Sequence, residues 1–222
     1  KGALVTPQMM WHGAKEAQKR VLTCSAGWTS EDEELWRATV EEVEGGGLKG
    51  PLSEVEVVAM TGKLWIAARR FAIYQNDKLR PIDDFSEFLV NACCGAKEKV
   101  SLHRLDQIVG WSRAWLEAVS DDRVVSLRDT SGREYTGTLH DDWELAGWRR
   151  LAGRVADLKS AYKQLPSHPA HACVSLVAVK GPDGKTTLLQ ALSMRCGTKA
   201  AVYAFLRFSR VLAAISPKLL NL

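Results

Sequence analysis

The stretch from Arg69 to Asp84 constrains the fold more than any other, because it reads as two extended runs about the dipeptide Asn76-Asp77. Asn and Asp tolerate the left-handed backbone that a two-residue hairpin turn demands, so this pair marks a tight antiparallel hairpin. Lys78 and Arg80 stand two apart in the second run, and side chains two apart in a strand point to the same face. Pro81 lacks the amide that a central strand donates, which puts this strand at a sheet edge. A chain with an edge hairpin needs a sheet beside it and a core to cover that sheet.

The remaining patterns supply both. Ser30-Glu31-Asp32-Glu33 has the capping-box form ahead of apolar Trp36, Val40 and Val43, and Gly45-Gly46-Gly47 stops that helix. Ser53 to Glu56 repeats the box before a shorter apolar stretch. Ser101 opens a longer helical pattern through Leu105, Ile108, Val109, Trp115 and Val119, and Val124 to Leu127 and Tyr135 to Leu139 follow as strands about Ser131-Gly132. Ala152 to Leu158 reads as a strand, Ser160 to Leu165 as a short helix, and Ala172 to Val179 as a strand. That strand turns at Gly181-Pro182-Asp183-Gly184 into Thr186 to Leu192. A final helix over about Thr198 to Ile215 carries Val202, Phe205, Leu206, Ser209 and Leu212 along one side. The expectation is an α+β fold, helices against a mostly antiparallel sheet.

Composition narrows the classes. At 222 residues, 46% hydrophobic and 25% charged, the chain can bury a real core. It has no apolar run of the roughly 18 residues a membrane helix requires, so no membrane partner is expected. The opening Lys1-Gly2-Ala3 resembles neither an initiator nor a signal segment, and a fragment is expected. The net charge of +4 suits a polyanionic partner without requiring one. The five cysteines, Cys24, Cys93, Cys94, Cys173 and Cys196, have no C-x-x-C spacing; they suggest neither a disulfide framework nor a zinc site, and point to a reducing intracellular compartment. His168 and His171 flank Pro169 and read as surface histidines of a loop.

Chemistry concentrates in Asp157-Leu158-Lys159-Ser160-Ala161-Tyr162, which follows an apolar run and enters a helical turn. Taken by itself, Asp157 reads as a helix cap. Two-metal phosphoryl transfer also needs a carboxylate in such a place, since magnesium takes oxygen ligands.

Three segments together resemble the retrotransposon reverse transcriptases. Arg70 to Ser86, with Asn91 beyond it, looks like the family's fingers motif; Asp157 to Gln164, DLKSAYKQ, is similar to its first palm motif; and Gly197 to Arg207, GTKAAVYAFLR, resembles the glycine-led helix of the next. The resemblance implies reverse-transcriptase-like fingers and a partial palm. It divides the chain into a helical N-terminal extension (1–60), a fingers-like region (61–150) and a partial palm (151–222). It implies that Asp157 binds Mg2+, that Tyr162 packs on the sugar of an incoming deoxynucleoside triphosphate, and that Arg80, assisted by Lys78, grips the triphosphate. Gly197 would let the backbone pass close to nucleotide and template, and an RNA or DNA template with its primer would be the partner. Without the resemblance, the same residues read as a solvated basic hairpin, a core ring and a helix-start glycine.

Two departures stand out. Ser193-Met194-Arg195-Cys196 precede Gly197 where the family has leucine-proline-phenylalanine, and the family's following aspartate pair is not within these residues. Asp83-Asp84 and Asp141-Asp142 are paired carboxylates in the wrong order to replace it, and read as hairpin or loop residues. The functional expectation is an RNA-directed DNA polymerase fragment, inactive alone; the alternative is a decayed or domesticated copy that only binds nucleic acid.

Overall fold

A computed structural model describes residues 5–23, 27–95, 105–141 and 160–219. The chain divides into two compact units, one of Lys1–Lys99 with Leu158–Leu222 and one of Val100–Asp157. This division by contact runs through the middle of the 61–150 region drawn from the sequence.

The first unit is built on a five-stranded sheet, in the order β1 (Leu48–Leu52), β7 (Thr186–Ala191), β6 (Leu176–Lys180), β2 (Ala67–Gln75), β3 (Lys78–Asp84). All pairs are antiparallel except β2 with β6. The sheet is therefore mixed. A parallel pair requires a long crossover, and here the chain leaves β3 at Asp84 and returns at Leu176. Both edge strands contain a proline, Pro51 in β1 and Pro81 in β3, where the missing amide costs no central ladder bond. The sequence reading missed β1, because Gly50 and Pro51 argue against a strand. Its glycine has a steric reason: a Cβ at Gly50 would lie 2.9 Å from Leu189 Cδ2.

Alternation along β6 and β7 sends side chains to both faces. Leu176, Ala178 and Leu188 join Met10, Ala14, Ala17 and Val21 from α1 (Pro7–His12) and α2 (Ala14–Leu22), with Val57 of α4 (Glu54–Thr61), Trp65 and Ile66. Val177, Val179, Leu189 and Ala191 pack with Leu35 of α3 (Ser30–Glu44) and Leu48 on the other face. The N-terminal residues thus supply helices to both faces and an edge strand to the sheet. A short helix α5 (Val90–Cys93) follows the hairpin, and α7 (Lys199–Leu219) closes the described chain.

Local signals act as the sequence suggests, with shifts. The α3 cap is Thr29 with Asp32, one residue ahead of the expected Ser30 and Glu33: the Asp32 amide donates to Thr29 Oγ1 at 3.1 Å and the Thr29 amide donates to Asp32 Oδ2 at 3.0 Å. The α4 box of Ser53 and Glu56 forms as read. The expected strand from Ala172 instead begins at Leu176, because Pro169–Val174 forms a 3-10 helix with Pro169 at its start and His168 as cap. Residues 152–158, read as a strand, lie outside the described residues.

The second unit, in its described part, holds α6 (Leu105–Ala118) and the antiparallel pair β4 (Val124–Arg128) and β5 (Glu134–Thr138), both strands as expected. The Asp129 carboxylate accepts from the amides of Ser131 and Arg133 and shapes the turn between them. Asp141 pairs with Arg123 at 3.2 Å.

Candidate functional site

The hairpin forms with the expected register, Gln75 opposite Lys78, and both turn residues adopt positive φ, 50° at Asn76 and 58° at Asp77. Arg70 lies opposite Asp83 and Ile73 opposite Arg80. Lys78, Arg80, Ile82 and Asp84 share one face; Leu79, Pro81 and Asp83 share the other, where Leu79 packs on the α3 side of the core. Lys78 and Arg80 are exposed and make no ion pair among the described residues. Half-exposed Phe71 and Ile73 of β2 lie on the same face, beside the two cations. That face can meet an anion with an apolar body.

At its other end the hairpin meets the chain around Gly197. Gly197 has φ of +104°, and a Cβ there would lie 2.6 Å from the Asp83 carbonyl oxygen. No larger residue fits without moving backbone. Buried Asn91 fixes the approach: its Nδ2 donates to Gly197 O at 2.7 Å and to Ser86 Oγ at 3.0 Å, and its Oδ1 accepts from the Lys199 amide at 2.9 Å. Asp84 Oδ1 accepts from the amides of Ser86 and Glu87, so it caps the turn after β3.

Tyr162 lies in the 3-10 turn Ala161–Gln164, half-buried, with its ring edge-on to Phe205 of α7 at 5.5 Å between centroids and 80° between planes. The ring is therefore held by packing on the glycine-led helix. Asp157, the expected metal ligand, lies outside the described residues, as does Asp142. Among the described residues no group of three or more His, Cys, Asp or Glu side chains could hold a metal ion.

A buried ion cluster, which the sequence reading did not anticipate, ties these parts together. The Arg70 side chain is fully buried and donates from Nε to Asp83 Oδ1 at 2.8 Å, from Nη2 to Asp83 Oδ2 at 3.1 Å and to Glu42 Oε2 at 3.0 Å, and from Nη1 to Thr39 Oγ1 at 3.2 Å. Arg195 donates from Nε to Asp83 Oδ2 at 2.8 Å and from Nη2 to Glu42 Oε2 at 2.6 Å. Lys163 Nζ pairs with the other Glu42 oxygen. Burial alone would push the Glu42 pKa up, but the charges of Arg70 and Arg195 and the Lys163 contact outweigh it and hold Glu42 at about 2. Burial likewise opposes the Arg70 charge, and Asp83 and Glu42 more than offset it, raising its pKa.

Asp83 is thus a hairpin residue, as read, and within the hairpin it serves as a structural counter-ion. Arg195, one of the residues that depart from the family pattern, is its second partner. One signal for Arg70 and Asp83 was in the sequence: counted outward from Asn76-Asp77 they fall opposite each other, in phase with buried Ala68. Glu42 carried no such signal among the acidic residues of α3.

His168 and His171 are exposed, their rings 5.7 Å apart. Cys93, Cys94 and Cys173 line a cavity of about 490 Å³ with Met10, Trp11 and Phe85, and burial pushes all three thiols up. No described helix is long and apolar enough to cross a membrane. In comparisons with known proteins, no family model and no curated protein matches the chain.

Proposed function

We propose that this chain is the fingers and the front of the palm of a retroelement reverse transcriptase, an RNA-directed DNA polymerase that transfers a deoxynucleotide to a primer hydroxyl with release of pyrophosphate. One observation carries the reading. Three segments far apart in sequence, the hairpin with Asn91, the turn bearing Tyr162 and the turn at Gly197, meet in one unit through Asn91, Phe205 and the Glu42 cluster. These are the segments whose motifs resemble the family, and their meeting in one unit supports the reading.

In this reading Arg80 and Lys78 grip the triphosphate. Their exposure suits that role, because a guanidinium fork with no ion pair among the described residues matches phosphate oxygens. Tyr162 would sit under the sugar and exclude a 2′-hydroxyl by occupying its space. Gly197 would keep the backbone low where template and nucleotide pass. Asp157, with carboxylates supplied by a palm hairpin that follows in a longer protein, is the residue assigned to magnesium, which when bound would neutralise the triphosphate and orient the primer hydroxyl.

A second reading, a copy that binds nucleic acid without catalysis, is favoured by Arg195. Its guanidinium is committed to Asp83 and Glu42, at the place where the family pattern has leucine-proline-phenylalanine.

The test is primer extension by a longer polypeptide in which an aspartate-pair palm hairpin follows this chain. Extension that Asp157→Asn abolishes is the expected result, and Tyr162→Val should raise ribonucleotide use relative to deoxyribonucleotide by about tenfold or more, equivalent to about 1.4 kcal/mol per tenfold step. Primer-template binding without extension would favour the second reading. Extension by the chain as it stands, dependent on Asp157, would show that the carboxylates are misassigned.

A further inference from the structure

Glu42 belongs to α3, in the N-terminal stretch where the sequence shows no motif of the polymerase kind. Yet among the described residues it is the one carboxylate in contact with all three converging segments. Its Oε2 accepts from Arg70, the β2 residue paired with Asp83 in the hairpin, and from Arg195, two residues before Gly197. Its Oε1 meets Lys163, the residue after Tyr162. Asp83 reaches Arg70 and Arg195 but not Lys163. Two carboxylates therefore face three cations, and only Glu42 spans the set. Arg195 Nη1 is buried without an acceptor among the described residues, so the cluster has no spare anion with which to replace it.

We infer that Glu42 is a positioning residue, holding the Tyr162 turn and the Gly197 turn in register with the hairpin that carries Lys78 and Arg80. That it thereby positions a nucleotide rests on the polymerase reading; that it joins the segments does not. The three attachments differ in what else supports them. The hairpin is held by its own ladder to β2, so Lys78 and Arg80 keep their places when Glu42 is lost. The Gly197 turn keeps its bonds to Asn91 and the Arg195–Asp83 pair, so the Tyr162 turn depends on Glu42 more. The Tyr162 turn is held by local bonds such as Lys163 N to Ser160 O, and it meets the Gly197 segment through the Met194 amide on Leu165 O at 2.8 Å. Loss of the Glu42 charge leaves Lys163 and Arg195 repelling each other across that contact. The Tyr162 turn and its contact with Met194 should loosen while the hairpin and the Asn91 side of the Gly197 turn stay.

This separation defines the experiment, on the full chain with Glu42→Gln. Amide hydrogen exchange should rise at least about tenfold at Lys163, Leu165 and Met194, with the β6–β7 amides unchanged as the control for an intact fold. In equilibrium titrations, affinity for a deoxynucleoside triphosphate should fall about tenfold, while affinity for inorganic tripolyphosphate, which needs only Lys78 and Arg80, should hold within about twofold. Unchanged exchange at the two turns would overturn the joining role. Equal losses of affinity for both probes would overturn the positioning role, because general loosening moves both. Lys163→Gln, at a partly exposed side chain, serves if Glu42→Gln does not fold: exchange should rise at Lys163 and Leu165, while Lys199 keeps the protection its amide draws from Asn91. No change at Lys163 and Leu165 there would overturn the inference. A wild-type chain that binds no deoxynucleoside triphosphate would count against the polymerase reading alone, and the exchange measurement would still decide whether Glu42 joins the segments.

Discussion

Gly197 and Asp83 show how closely the two proposed motifs approach. With φ at +104° and a Cβ position 2.6 Å from the Asp83 carbonyl, Gly197→Ala combines an unfavourable backbone with a backbone clash. It should cost about 1–3 kcal/mol in urea denaturation, more than an alanine substitution at an open glycine such as Gly110. Glu42 gives a prediction in pH. Its pKa is depressed to about 2, so its stabilising contribution is present above the ordinary glutamate range and is lost as pH falls through that range toward 2. Acid unfolding followed by circular dichroism should therefore show a shallower loss between about pH 4.5 and 2 in Glu42→Gln than in the wild type, though the variant starts less stable. Legibility at this scale was uneven for a physical reason. Lys78, Arg80, Tyr162 and Gly197 sit in local patterns, whereas Glu42 and Arg195 acquire their roles through partners on other elements, Glu42 through Arg70, Lys163 and Arg195, and Arg195 through Asp83 and Glu42.

Among the elements, the hairpin was the most legible because its turn chemistry, its register and its edge proline all act over a few residues. Asp77 adopts φ of 58°, a conformation glycine reaches without strain, and its side chain is exposed. Asp77→Gly is expected to stabilise the chain by a few tenths to about 1 kcal/mol in thermal denaturation, and Asp77→Val to destabilise it by at least as much, since a β-branched residue resists positive φ. The strand β1 was illegible because Gly50 and Pro51 are poor strand formers; they are tolerated at an edge, and Gly50 has φ of +150° with a Cβ position 3.1 Å from the Leu188 carbonyl oxygen, which favours glycine. The α3 cap moved by one residue because Thr29 and Ser30 are both followed three residues on by an acid, so the sequence offers two boxes and tertiary contacts choose. Lys180 pairs with Asp32 at 3.0 Å, which favours the box that uses Asp32.

For the whole molecule, the α+β class followed from local patterns, but the parallel pairing of β2 with β6 did not. It joins residues more than a hundred positions apart, and no local periodicity records which strands become neighbours. The same limit applied to the N-terminal residues: they read as an extension, and they supply both the edge strand β1 and the helices that cover each face of the sheet. The central claim is that this arrangement grips a nucleotide through the exposed cations of the hairpin. It is tested most directly by equilibrium binding of a deoxynucleoside triphosphate, with Mg2+ and a primer-template present, to the wild-type chain and to Arg80→Ala. Saturable binding that weakens about ten- to a hundredfold in Arg80→Ala, with primer-template affinity nearly unchanged, is the expected result, since a charge-assisted contact to phosphate contributes roughly 1.5–3 kcal/mol. No triphosphate binding by the wild type, or equal binding by the two proteins, would contradict it.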